Sequence, residues 1–454
     1  MDRAEQLGRE RVPALLLRFS IPAIIGMLVQ ALYNVVDRIF VGHGVGPEGI
    51  AGLTVVFPVM LVIMAFSMLI GLGATALISI RLGEGKQREA EQIVSTAALM
   101  LALIAGIIST LGLTFIDPLL RLLGASDQIL PYAREYLSVI FYGTVFQSVS
   151  FGMNHFIRAE GNPRRAMSTM LIGAILNTIL DPIFIFGFGW GVTGAAVATV
   201  ISQVVSCIWV LSYFLSGQSV VKFRLKGIRV ELPVLLKIVS IGFAPWAMQL
   251  AASLLNLILT RSLAYYGGDV AISGMGIVYS INTIFMMPIF GINQGVQPII
   301  GYNFGAQQYD RVREALRLGI FGATGIVTLG WITTRLFPIQ LISLFGRGDE
   351  QLLNVAATAM RIGLFVFPLV GFQVVGASYF QAVGKPKRAA FLSLSRQLLL
   401  LIPAMLILPR FLGLMGVFVS LPAADVGSTL LTAVLLAREM KELGPGREPA
   451  LVGR

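Results

Sequence analysis

Cysteine, histidine and charge are all scarce in this chain, and each scarcity removes a class of function. One cysteine, Cys207, in 454 residues excludes an intramolecular disulfide and any cysteine-based metal site. Two histidines, His43 and His155, are too few and too far apart for a zinc site. Only 13% of the residues are charged, where soluble domains average about 25%. No phosphate-binding G-x-x-x-x-G-K-[ST] loop occurs: Gly85-Lys86 is followed by Gln87 and Gly384-Lys385 by Pro386. No polar stretch is long enough to form a catalytic domain, and neither an enzyme nor a cofactor is expected. No small-residue cleavage site precedes the first apolar run, so residues 1–17 are expected to be an amphipathic lead-in and not a signal peptide.

What is present in quantity is apolar sequence. Hydrophobic residues make up 56% of the chain and the mean hydropathy is +0.82. Twelve segments are long enough to cross about 30 Å of hydrocarbon as helices: 18–41, 50–80, 92–115, 132–157, 166–187, 193–215, 236–262, 270–302, 313–336, 352–381, 389–409 and 415–437. The fold class expected is therefore an all-α membrane protein of twelve transmembrane helices. The net charge of +11 could indicate nucleic acid, but in a chain this apolar it reads as a basic face against anionic lipid. Most of the basic residues fall in the tails and in 81–88, 158–165, 222–237, 311–317 and 385–388. The positive-inside rule then places both termini in the cytoplasm of a multi-pass inner-membrane protein.

The chain repeats itself at about 222 residues. Gly161-Asn162-Pro163-Arg164-Arg165-Ala166 returns as Gly384-Lys385-Pro386-Lys387-Arg388-Ala389. Gly73 and Gly83 return as Gly295 and Gly305, and Leu122-Leu123-Gly124 as Leu344-Phe345-Gly346. Six helices per half, both halves starting on one side, define a parallel repeat. The boundaries read as 1–17 lead-in, 18–215 first lobe, 216–235 linker, 236–437 second lobe and 438–454 tail. A substrate path between two such lobes is the usual consequence.

Acids inside apolar helices are costly and are functional candidates by default. Asp37, Asp181 and Asp425 are the three. Counted from the outer ends of their helices at 1.5 Å per residue, Asp37 lies roughly 4 residues deep, and Asp181 and Thr199 roughly 6. Asn177 is one turn below Asp181 on the same face. Three helices of one lobe thus carry oxygen-bearing residues at one depth. Two adjacent carboxylates would hold a shared proton or a hard cation on oxygen ligands. The competing readings are neutralisation of Asp37 by Arg38 and a capping role for Asp181 before Pro182. The repeat separates them, because the second-half counterparts, near Leu259 and Ala404, are apolar.

Asp425 reads as a structural ion pair with Arg396 on the neighbouring segment; a second proton site is the sharper alternative. Pro22 and Pro245 interrupt segments 1 and 7 at similar places, and Pro22 is the candidate hinge. Gln30, Tyr33 and Asn34, with Gln249 and Asn256 in the comparable stretch of segment 7, are cavity-lining candidates or interhelical glue.

These features together resemble the multidrug and toxin extrusion (MATE) family of secondary transporters over essentially the whole chain. In one branch of that family the ion site lies in the amino-terminal lobe, on Asp of helix 1, Asn and Asp of helix 5 and Thr of helix 6. The resemblance assigns those roles to Asp37, Asn177, Asp181 and Thr199, which would also be metal ligands if the ion is Na⁺. It sets Tyr136 and Asn154 beside the pocket. The acids that another branch carries on helices 7 and 10 are missing here. The resemblance implies an antiporter that exports amphipathic, cationic compounds against H⁺ or Na⁺, with the lipid bilayer as its surroundings and no obligate partner beyond a monomer. A flippase for lipid-linked precursors is the alternative; twelve helices and few intramembrane arginines weigh against it.

Overall fold

The computed structural model describes residues 3–222, 231–343 and 350–442, without the side chains of Arg3, Asn34, Val35, Arg38, Pro47 and Asp269. Residues 344–349 and parts of the expected linker and tail lie outside the described residues. So do the side chains of the cavity candidate Asn34 and of Arg38, the competing neutraliser of Asp37. Every described element is helical. In order they are α1 (Arg3–Arg9), α2 (Val12–Gly44), α3 (Pro47–Gly83), α4 (Gln87–Thr114), α5 (Ile116–Leu122), α6 (Leu130–Ala159), α7 (Pro163–Pro182) and α8 (Gly191–Leu215). There follow α9 (Leu232–Gly305), α10 (Tyr309–Leu336), α11 (Pro338–Ser343), α12 (Glu350–Gly363), α13 (Phe367–Ala382), α14 (Pro386–Leu394), α15 (Ile402–Leu412) and α16 (Leu414–Glu442). Two π-helical turns interrupt this series, Ile183–Gly187 after α7 and Ser395–Leu401 between α14 and α15.

Ten helices are long and apolar enough to span a bilayer, among the described residues. α12 and α13, bent by 51° at their junction, together supply an eleventh. α9 counts twice, because Gly268 at φ 63° breaks it into Leu232–Gly268 and Val270–Gly305. The remaining segment, α6, is 30 residues long, but Arg134, Glu135, Asn154, His155 and Arg158 dilute its apolar character. Outward-facing apolar stripes fit a lipid solvent: Leu103, Ile107 and Leu111 of α4 recur every fourth residue and are all exposed.

The chain forms two units. The first comprises Met1–Glu10, Ile25–Trp246 and Gly301–Gln307; the second comprises Arg11–Ile24, Ala247–Ile300 and Gln308–Arg454. Chain membership therefore changes between Ile24 and Ile25 in α2 and between Trp246 and Ala247 in α9, each within three residues of the interrupting proline, Pro22 or Pro245. Glycines allow the close contacts inside each unit. A Cβ on Gly242 of α9 would stand 1.7 Å from the Leu69 carbonyl of α3, and one on Gly73 would stand 2.1 Å from the Ile238 carbonyl. In the second unit Gly295 meets the Ser20 backbone in the same manner, at 2.9 Å.

The doubled Gly-x-Pro-basic loop has one backbone explanation. Gly161 (φ 92°) and Gly384 (φ 70°) take the left-handed conformation that ends a helix. Pro163 and Pro386 then occupy the first helical position, where no N–H is needed.

A buried acid cluster in the first unit

α7 carries its polar pair in an otherwise apolar helix, and Pro182 ends the regular hydrogen bonding just beyond Asp181. Proline lacks an N–H, so the ladder resumes as a π turn in which Phe188 N–H bonds to the Ile183 carbonyl at 2.9 Å. Gly189 and Gly191, both at positive φ, turn the chain back into α8 and bring Thr199 alongside.

Asp37, Asn177, Asp181 and Thr199 are all buried, Asp181 completely. Asn177 Nδ2 donates to Asp181 Oδ1 at 3.2 Å and to Thr199 Oγ1 at 3.2 Å. The carboxyl groups of Asp37 and Asp181 are close neighbours. The phenols of Tyr33 on α2 and Tyr136 on α6 lie near Thr199 and the two acids. Four helices of the first unit thus converge on one polar knot. Two of its buried oxygens, Asn177 Oδ1 and Asp181 Oδ2, have no hydrogen-bond donor among the described residues. Two neighbouring carboxylates and unfilled acceptors ask for a positive charge, either a proton between the acids or a small cation on the oxygens. No third Asp, Glu, His or Cys joins them among the described residues, so the donor set is all-oxygen and unlike that of a transition metal.

The other candidates lie elsewhere. Asn154 is held on α6 away from the acids: its Nδ2 donates to the Ala166 carbonyl (2.8 Å) and its Oδ1 accepts from Arg158 (2.7 Å). Gln30 and Asn256 are exposed and Gln249 is half-buried. α2 remains helical through Pro22. In the second unit Arg396 Nε donates to Asp425 Oδ1 at 2.7 Å.

Sequence reading missed Glu160, which is wholly buried at the end of α6. Its carboxyl accepts from Ser219 Oγ (2.7 Å), Tyr213 Oη (3.1 Å) and Val220 N (3.0 Å). Gln87 Nε2 donates to the Val220 carbonyl as well, so the chain after α8 is tied to two loops of its own unit. Burial pushes the Glu160 carboxyl up from 4.5 to about 7, and the three donors only partly oppose that. Glu439 was also missed; it is fully buried in α16 between Lys385 and Arg388. The signal available was the basic loop of the repeat, which needs an acid nearby.

An all-helical, multi-pass membrane protein with a doubled six-segment pattern and a buried acid pair belongs to the class of secondary transporters and not of enzymes. The MatE family matches this chain twice, over residues 22–183 and 245–406, and the chain belongs to that family. Among curated relatives, the multidrug export protein MepA of Staphylococcus aureus (strain MSSA476) is 30% identical over 411 residues, covering 90% of each chain. Among solved structures, the MATE multidrug transporter DinF-BH, solved as a complex, is 41% identical with a TM-score of 0.90, covering 97% of this chain and 98% of that one. An outward-facing multidrug resistance MATE transporter of the MOP superfamily is 28% identical, also with a TM-score of 0.90, over 96% and 98%.

Proposed function

We propose that this protein exports amphipathic, mainly cationic compounds across the cytoplasmic membrane in exchange for H⁺ or Na⁺, by alternating access. The export activity follows from the family and from relatives named as multidrug exporters and transporters. One observation carries the coupling site: Asp37, Asn177, Asp181 and Thr199 meet in a buried cluster whose Asn177 Oδ1 and Asp181 Oδ2 lack donors. A monovalent cation entering there lowers the charge of the ionised acid pair from −2 to −1 and relieves its repulsion; its departure restores like-charge repulsion between helices α2 and α7. That change in internal force is what couples the ion to the shape of α2, with Pro22 as its compliant point. The distribution of basic residues supports cytoplasmic termini, and a monomer contains the whole cluster.

Purified protein reconstituted into vesicles, driven by a proton gradient or a Na⁺ gradient imposed singly, identifies the ion. Asp181→Asn in the same vesicles should abolish ethidium transport under either gradient while the protein stays folded. Undiminished gradient-driven transport by that variant sinks the assignment.

A further inference from the structure

Each end of the family match recurs 223 residues later, residue 22 at 245 and residue 183 at 406. At that spacing Pro163 falls on Pro386 and Gly191 on Leu414, the first residues of the corresponding helices. The acid cluster has no counterpart: Asp37, Asn177, Asp181 and Thr199 fall on Thr260, Leu400, Ala404 and Pro422. Arg396 and Asp425 nevertheless lie on the same two helices of the repeat, at the positions of Gly173 and Ser202. Gly173 is one turn before Asn177 on α7, and Ser202 one turn after Thr199 on α8. Since consecutive spans run in opposite directions, both displacements point the same way along the membrane normal. The second unit therefore carries an acid site on the equivalent helix pair, moved by one turn, with a guanidinium already in it.

The local geometry supports this. Arg396 lies in the π-helical turn Ser395–Leu401, a wider turn that changes which way side chains project, and its Nε is 2.7 Å from Asp425 Oδ1. The Asp425 side chain is 9% exposed and that of Arg396 is 29% exposed. One turn past Asp425, Ser428 Oγ is buried without a partner, and beside Arg396 so is Gln397 Oε1. A carboxylate this enclosed needs a positive partner, and arginine, protonated at every accessible pH and covalently tethered, outcompetes a dilute ion for it.

We propose that Arg396 is a built-in cation which occupies the second unit's acid site permanently, keeps Asp425 out of the ion cycle, and so limits each transport cycle to the ions bound in the first unit. The idea rests on the coupling site proposed above, and extends it by assigning Arg396 as the residue that sets stoichiometry. A latent second ion site lies beneath it, with Asp425 and Ser428, one turn apart on α16, as its oxygens.

The test is the coupling ratio, read from full-length protein in vesicles with the membrane potential clamped to zero. At equilibrium the logarithm of the ethidium concentration ratio rises with the logarithm of the imposed H⁺ or Na⁺ ratio, and the slope counts ions per substrate. Arg396→Gln should raise that slope by one ion. Arg396→Lys, which keeps a tethered cation, should leave it at the wild-type value, and Arg396→Gln with Asp425→Asn should return it there. An Arg396→Gln slope equal to wild type overturns the proposal. So does a double neutral variant whose slope falls below wild type, since Asp425 would then already carry an ion. The double variant decides the matter alone if Arg396→Gln does not fold. Asp181→Asn serves as the separating control: a wild-type slope in that variant condemns the first-unit coupling site, and the Arg396 comparison is then read independently.

Discussion

Asn177 and Asp181 face each other one helical turn apart on α7, 3.2 Å from amide nitrogen to carboxyl oxygen. The same nitrogen is 3.2 Å from Thr199 Oγ1, so one side chain fastens the acid to the next helix. Its nitrogen is directed at two acceptors, and its buried carbonyl oxygen meets no donor among the described residues. Asn177 is thus a brace that ties Asp181 to Thr199.

Removing that brace should weaken ion binding without removing the acids. A hydrogen bond to a charged group contributes roughly 1.5–3 kcal/mol, and every 1.4 kcal/mol is a factor of ten. Asn177→Leu should therefore require at least about tenfold more coupling ion for half-maximal transport, with the maximal rate retained. Ion titrations of transport in vesicles measure this, and an unchanged half-saturation point would remove Asn177 from the ligand set.

Substrate charge gives a second expectation. The cluster offers carboxylates and no basic side chain among its described members. Cells producing the protein should resist lipophilic cations such as ethidium more than anions of similar apolarity. Asp37→Asn should erase the difference. Equal protection against anions, undiminished in that variant, counts against both the substrate class and Asp37.

The Arg396–Asp425 pair also makes a statement about stability. Removing one partner of a mostly buried ion pair typically costs 3–5 kcal/mol; the partial exposure of Arg396 places the expected loss nearer 2 kcal/mol (order of magnitude). Either single neutral substitution should lower the Tm in detergent, and the double neutral variant should recover most of the loss. Additive losses in the double variant would show that the two side chains are not energetically paired.

Glu160 predicts a pH dependence with a definite sign. Its carboxyl binds a proton more tightly in the folded protein, at about 7, than at its ordinary 4.5. The folded state therefore holds more protons across that interval, and stability falls as pH rises from about 4.5 to 7, then levels off. Docking of residues 219–222 should loosen over the same range. Glu160→Gln, which stays neutral and can still accept from Ser219 and Val220, should flatten the profile. Hydrogen exchange of the Val220 amide at pH 5.5 and 8 reads the effect locally, and equal protection at both values in the wild type refutes it.

The close glycine contacts make the last expectation. Gly242→Ala puts a methyl 1.7 Å from the Leu69 carbonyl, a backbone atom that cannot swing away. Overpacking typically costs 1–3 kcal/mol, and against backbone the upper end, about 3 kcal/mol, is expected. Gly106→Ala, where a Cβ meets nothing within 4 Å, is the neutral control. Equal melting temperatures for the two variants would refute the contact.

Much of this was legible in the sequence because membranes restrict the choices. Twelve apolar segments could be counted by length alone, and α6 was still found because its charged residues lie near its two ends and leave 136–153 uncharged. Asp181 stood out because an acid inside an apolar run has few explanations, and depth counting set Asp37 and Thr199 beside it. Depth does not give azimuth, however, so it could not say that Tyr33, a cavity-lining candidate, lies near Thr199 and the acids. Asn154 shares a helix with Tyr136 but lies 18 residues from it, five turns along, and its partners are Ala166 and Arg158. Glu160 was invisible because it is bound by a backbone N–H and a serine from a segment 60 residues away, which have no sequence signature. The assignment of α2's first turns to the second unit was equally hidden, since α2 is one uninterrupted helix.

That last arrangement dictates an order of assembly during synthesis. The first unit uses Leu232–Trp246 and Gly301–Gln307, which leave the ribosome long after α8 is complete at Leu215. At roughly 5–20 residues per second, the interval between Leu215 and Gln307 lasts on the order of 5–20 s, during which six inserted helices lack the backbone that Gly73 and Gly83 are shaped to receive. Arg11–Ile24 meanwhile waits for almost the entire remainder of the chain. Each half is thus an incomplete folding unit until the other is being made. A gene cut at the linker should yield two fragments that are degraded when produced alone and recover as a stable pair when produced together.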